Sequence, residues 1–177
     1  MIVIIQTAIQ GLGLISILIA IYQFYSSNRW KRIEYSMNGP WYKKLDAKEN
    51  EILEDYSFDY GKTSISDDEY AAIIENRELY EKIIKYLNIF EEIASLYEIN
   101  AIDKEYAYSN YSSRLIQTYE YFERIIKNVR KRDNDESEYY GISHLYLLWK
   151  RKTLKMKRKD IRKLNREYNE IGKIIEM

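Results

Sequence analysis

Residues 66–100 read SDDEYAAIIENRELYEKIIKYLNIFEEIASLYEIN. Ser66 is a good helix N-cap, and Glu69 three positions on completes the capping-box pattern. Tyr70, Ile73, Ile74, Tyr80, Ile83, Ile84, Leu87, Phe90, Ile93, Ala94 and Tyr97 then recur at helical spacing as far as Asn100. The charged residues fall between them, so one face is apolar and the other wet. The segment predicts a long amphipathic helix, with a break allowed near Asn76.

The pattern repeats on the C-terminal side. Asp103 predicts the next N-cap, and Tyr106, Tyr111, Leu115, Ile116, Tyr119, Phe122, Ile125, Ile126 and Val129 form a second stripe. Arg130, Lys131 and Arg132 close it with positive charge, where the helix dipole favours cations. Asp133 to Ser137 predicts a polar connection, and a last helix runs from about Glu138 towards Ile175. Leu147, Leu154, Ile161, Tyr168 and Ile175 lie seven apart in it, a partial heptad interrupted by Lys150 and Lys157. On the N-terminal side, Trp41 to Tyr56 predicts a short helix after a break at Asn38-Gly39-Pro40, and Ser57 to Thr63 a loop. No segment alternates as a strand would.

Composition agrees. The 177 residues contain six glycines and one proline, too few for the turns of a sandwich or barrel. The absence of cysteine excludes a disulfide scaffold, a zinc–thiolate site and a cysteine nucleophile. A single histidine excludes a multi-histidine metal site within one chain. The nineteen tyrosines stand where a helical core would often use leucine, and their hydroxyls predict positions at the core edge. The net charge of zero conceals an asymmetry. Residues 1–48 carry six basic and two acidic side chains, 49–105 five and sixteen, and 106–177 seventeen and ten.

From Ile2 to Tyr25 there is no charged residue. About 20 helical residues cross a typical hydrocarbon core, so the run is long enough for a transmembrane helix. Arg29, Lys31 and Arg32 follow at once, with Tyr22, Phe24, Tyr25 and Trp30 forming an interfacial belt. A cleaved signal peptide would want a basic leader and small residues at a cleavage site, and this stretch has neither. The positive-inside rule places the rest of the chain in the cytoplasm. Gln6, Gln10 and Gly13 share one face of the span, with Thr7, Gly11, Ser16 and Ala20 near it, a pattern that favours self-association in the membrane.

The stretch Tyr86 to Ala94, then Ile102-Asp103-Lys104-Glu105, then Tyr119 to Phe122, a basic helix end and the aromatic segment Tyr139 to Trp149 occur in an order that resembles a bacterial family, domain of unknown function 4760. The resemblance covers roughly residues 1–150 and rests mainly on the Leu-Asn-x-Phe-Glu-Glu-x-Ala core. It implies one N-terminal transmembrane helix joined to a small cytoplasmic helical domain, in bacteria and mobile elements, some of them near anti-phage systems. It implies no chemistry. The chain departs from the pattern at Ala107-Tyr108-Ser109-Asn110 and in the basic tail after Trp149.

Motifs that would carry catalysis are weak. Asn88, Glu91 and Glu92 put an amide and a carboxylate on one helix face. A buried glutamate there would suit general acid–base work, but a helix-packing network is favoured, with Arg114 and Arg124 as partners. His144 lies among Leu145, Leu147, Leu148 and Trp149 and reads as a packing histidine. The runs Asp67 to Glu69 and Asp133 to Glu138 read as a helix start and a solvated linker. The strongest functional feature is the tail, with ten basic residues and one acid, Asp160, between Lys150 and Arg166. Lys155, Lys157, Arg158, Lys159, Arg162 and Lys163 are its candidate contacts for an anionic partner. Lipid headgroups, the chain's own acidic 49–105 region and nucleic acid are the options, nucleic acid the least favoured, beside a plain solvated helix with coiled-coil leanings.

The expectation is therefore all-α, in three parts: a transmembrane anchor and juxtamembrane helix (1–37), a cytoplasmic helical domain (38–149) and a basic amphipathic C-terminal helix (150–177). The function expected is a non-enzymatic, self-associating interaction module or effector at the bacterial inner membrane, in stress or phage defence. A tethered module binding anionic partners through the tail is the alternative. Neither a metal nor a cofactor is expected.

Overall fold

A computed structural model describes residues 2–57, 62 and 64–175, with side chains described for 14–41, 43–57, 62 and 64–162. The fold is all-helical, and the described residues contain no strand. The helices are α1 (Ile2–Asn38), α2 (Trp41–Leu53), α3 (Asp67–Glu75), α4 (Arg77–Glu98), α5 (Lys104–Asp133) and α6 (Tyr140–Ile175).

Local chemistry sets most of the ends. Ser66 accepts from the Glu69 amide at 3.2 Å, and the Glu69 carboxylate accepts from the Ser66 amide at 2.7 Å, which is the reciprocal capping box. The Ser66 amide, with the Ser66 side chain second, holds the Glu69 carboxyl down at about 2. Asn76 does interrupt the long helix, and its side chain caps α4 by accepting from Leu79 N–H at 3.1 Å. Asp103 caps α5 through Tyr106 N–H at 2.9 Å. Asn134, in the left-handed region at φ 51°, stops α5. Between α1 and α2 the Trp41 indole lies directly over Gly39, where a Cβ would meet the ring at 1.9 Å.

The bundle is organised around α4, which packs against α2, α3, α5 and α6. It buries Leu79, Ile83, Tyr86, Leu87, Ile89, Phe90, Ile93 and Ala94. Leu45 and Ile52 of α2, Ile73 of α3, Leu115, Phe122, Ile125 and Ile126 of α5, and Ile142 and Trp149 of α6 close over it.

The tyrosines divide. Tyr56, Tyr70, Tyr80, Tyr97, Tyr108 and Tyr146 sit partly buried against the core, as core-edge residues. Tyr86, Tyr111, Tyr119, Tyr121 and Tyr139 lie inside it, deeper than the sequence pattern suggested. Burial is tolerable because the hydroxyls find partners. Tyr86 Oη accepts from Arg114 Nε at 3.3 Å, and burial pushes its phenol up to about 12.

Candidate interaction surface

The Asn88–Glu91–Glu92 group meets partners on neighbouring segments. Tyr139 Oη donates to Asn88 Oδ1 at 2.8 Å. Glu91 accepts from Gly141 N–H at 2.9 Å and Ile142 N–H at 2.7 Å, so it caps the start of α6 from another helix. A Cβ at Gly141 would lie 2.7 Å from Glu91 Oε1, so glycine lets the cap approach. Tyr139 itself has φ 57°, an uncommon value for an aromatic residue. Arg130 steadies that turn by donating to the Glu138 and Tyr139 carbonyls at 2.7 and 3.2 Å.

The partners expected for these carboxylates are corrected. Arg114 pairs with Asp46, at 2.7 Å, and with Glu49 on α2. Arg124 pairs with Asp67 and stacks over the Tyr70 ring at 4.0 Å. Glu92 meets Lys44 at 3.7 Å. His144 is also corrected, because it is exposed rather than packed inside, pairing with Glu98 at 3.1 Å and stacking on Tyr140.

A different place brings together residues far apart in sequence. At the end of the bundle where α5 begins, α1 arrives and α6 leaves. Arg29 reaches Asp103 at 3.4 Å, and Ser36 Oγ accepts from Asp103 N–H at 3.1 Å. On the α6 side, Tyr108 shares a hydrogen bond with Thr153 at 2.9 Å and packs edge-on against Trp149. Lys152 lies 3.9 Å over the Tyr108 ring and 3.8 Å from Glu105.

Two arms extend from this end. On α1, every residue from Leu14 to Tyr25 is exposed, including Ile15, Ile17, Leu18, Ile19, Ile21, Tyr22 and Phe24. Among the described residues no helix is long and apolar enough to cross a membrane. The described side chains cover only the second half of the uncharged 2–25 run. Gln6, Gln10 and Gly13 fall on helical backbone, and their side chains lie outside the described residues.

On α6, Leu154 to Arg162 are all exposed. Leu147, Lys150, Arg151, Leu154, Lys155, Arg158, Lys159 and Arg162 share one open groove along the helix. Lys157 is exposed beside it, and the Lys163 side chain lies outside the described residues. At the opposite end of the bundle, where α4 begins, Asp67, Asp68, Glu75, Glu78 and Glu81 face solvent.

The described residues form an all-helical bundle bearing two exposed arms of contrasting chemistry. The chain belongs to the family Domain of unknown function (DUF4760), whose model matches residues 11–149. Neither a curated protein nor a solved structure matches it. The family match ends at Trp149, so the basic limb of α6 lies beyond it.

Proposed function

We infer that this protein is a membrane-anchored, non-enzymatic helical module that associates with itself at the bacterial cell membrane, its bundle on the cytoplasmic side. The observation that carries the reading is the exposure of α1 from Leu14 to Tyr25 on all sides. A helix that is apolar all round is covered in a stable protein, by a core or by lipid. The bundle does not cover it. The uncharged run in the sequence, residues 2–25, matches a bilayer in length, and Arg29, Lys31 and Arg32 follow it on the bundle side. Gln6, Gln10 and Gly13 are the proposed contacts for self-association. An effector role in stress or phage defence is proposed from the family resemblance.

Fractionation of bacteria expressing the full chain tests the anchor. The chain is expected to stay with the membranes through an alkaline carbonate wash. Its release into the wash would overturn the reading. If the association runs through the glutamine face, Gln6→Leu with Gln10→Leu keeps the membrane location and reduces crosslinked oligomer. If the protein is an effector, a depolarisation dye responds to the wild type and not to this variant.

A further inference from the structure

We propose that the basic limb of α6 is a second membrane contact, lying on the anionic headgroups of the leaflet that α1 enters; this rests on the anchor reading of α1. The first support is position. The limb leaves the bundle beside Tyr108, and α1 meets the bundle at Asp103, the α5 N-cap five residues before it. The two arms therefore leave the bundle from one end, where a single surface can receive both.

Length and charge decide how it meets it. At about 1.5 Å per residue, the helix beyond Met156 reaches about 28 Å past its last bundle contact. Its lysines and arginines keep it out of hydrocarbon, so it runs along the surface and not alongside α1.

The exposed face suits that surface. Ile142, Leu145 and Trp149 turn into the core, while Leu147, Leu154 and Ile161 turn away from it, 64%, 48% and 57% exposed. Lys150, Arg151, Lys155, Arg158, Lys159 and Arg162 flank this seam. An apolar seam between rows of cations is the pattern of a helix lying in a membrane interface. Two rivals fit less well. A second copy of α6 would bring the same dense positive charge against itself. The chain's own acids reach only the root of the limb: Glu120 holds Lys150, and Glu105 lies 3.8 Å from Lys152. Asp46 and Glu49 hold Arg114, Asp55 holds Lys82, and the acidic cluster of α3 and early α4 lies at the other end.

The absence of cysteine permits a clean test. The full chain carrying Ile161→Cys, labelled with an environment-sensitive dye, is reconstituted into vesicles of phosphatidylcholine alone or with phosphatidylglycerol. A neutral quencher reports exposure, and a Tyr22→Cys label serves as the anchor control. The expected result is a blue shift and loss of quenching at position 161 only with phosphatidylglycerol. High salt and the exposed-site variant Lys155→Gln, Lys157→Gln, Arg158→Gln, Lys159→Gln should both reverse it.

Equal quenching at 161 in both vesicles, with position 22 protected, overturns the limb contact and leaves the anchor standing. Protection at 161 in both vesicles, indifferent to salt, means a second copy covers the seam and overturns the proposal. Protection that appears only when an oligonucleotide is added overturns it in favour of nucleic acid. Free quenching at position 22 sinks the anchor reading, whatever position 161 reports.

Discussion

The α4 helix and residues 14–25 of α1 are both rich in large apolar side chains, arranged differently. On α4 they form a stripe, with Glu78, Glu81, Lys82 and Lys85 on other faces, and the stripe is buried against four neighbouring helices. On α1 they form a ring without charge, and the described part of the ring is open on all sides. A stripe can be satisfied within one chain, because the opposite face is content in water. A ring cannot, unless the chain surrounds it or something outside does. The difference separates what stabilises the bundle from what the bundle carries.

The sharpest way to break that comparison is to shorten one side chain in each region. Phe90→Ala, at a fully buried position of α4, should lower unfolding free energy by about 3–5 kcal/mol in denaturant titration. Leu18→Ala, 66% exposed on α1, should change bundle stability by less than about 0.5 kcal/mol. A large loss at Leu18 would mean that the bundle covers α1 after all.

The polar ties of the bundle should rank below its core. Arg114→Met leaves Glu49, whose side chain is only 13% exposed, without its cation, and should cost about 2–3 kcal/mol. The same substitution at Arg124, whose partner Asp67 is 90% exposed, should cost less than about 1 kcal/mol. Equal losses at the two sites would show that burial does not set the difference.

The α6 corner permits a double-mutant cycle. Glu91→Ala removes the acceptor for Gly141 and Ile142 N–H and should cost about 1–2 kcal/mol. Gly141→Ala should destabilise by pressing on the Glu91 carboxylate. The two should be less than additive, since without Glu91 the added methyl has room; strict additivity would rule out the contact.

A pH-dependent effect is expected at the α3 cap. The Glu69 carboxyl is held at about 2 when folded, below its ordinary 4.5, by the Ser66 backbone and side chain. A depressed acid stabilises the fold above its unfolded pKa and loses that contribution as pH falls through the folded value. Stability should therefore decline between about pH 4.5 and about pH 2, and Glu69→Gln should flatten that part of the profile. An unchanged slope would locate the acid sensitivity elsewhere.

These regions also differ in how far the sequence alone reveals them. The capping box at Ser66, the N-cap at Asp103, the interruption at Asn76 and the break at Asn38-Gly39-Pro40 were legible because a cap is settled within three or four residues. The stripe of α4 was legible because helical period alone fixes which residues share a face. The partners of Asn88, Glu91, Glu92 and Arg114 were not legible. A carboxylate on a helix face has many cations within reach of an unfolded chain, and only packing selects one. Gly141, a glycine opening an aromatic-rich helix, was the single local hint that something approaches there.

The sequence by itself determined an all-helical chain, one uncharged apolar run and one dense basic run, because composition and period are properties of neighbours along the chain. Tertiary structure alone decided that Arg29 and Ser36 meet Asp103 while Thr153 meets Tyr108. Those contacts close loops of 45 or more residues, and only the antiparallel packing of α6 on α5, with α1 entering at the same end, brings the two runs to one side of the bundle.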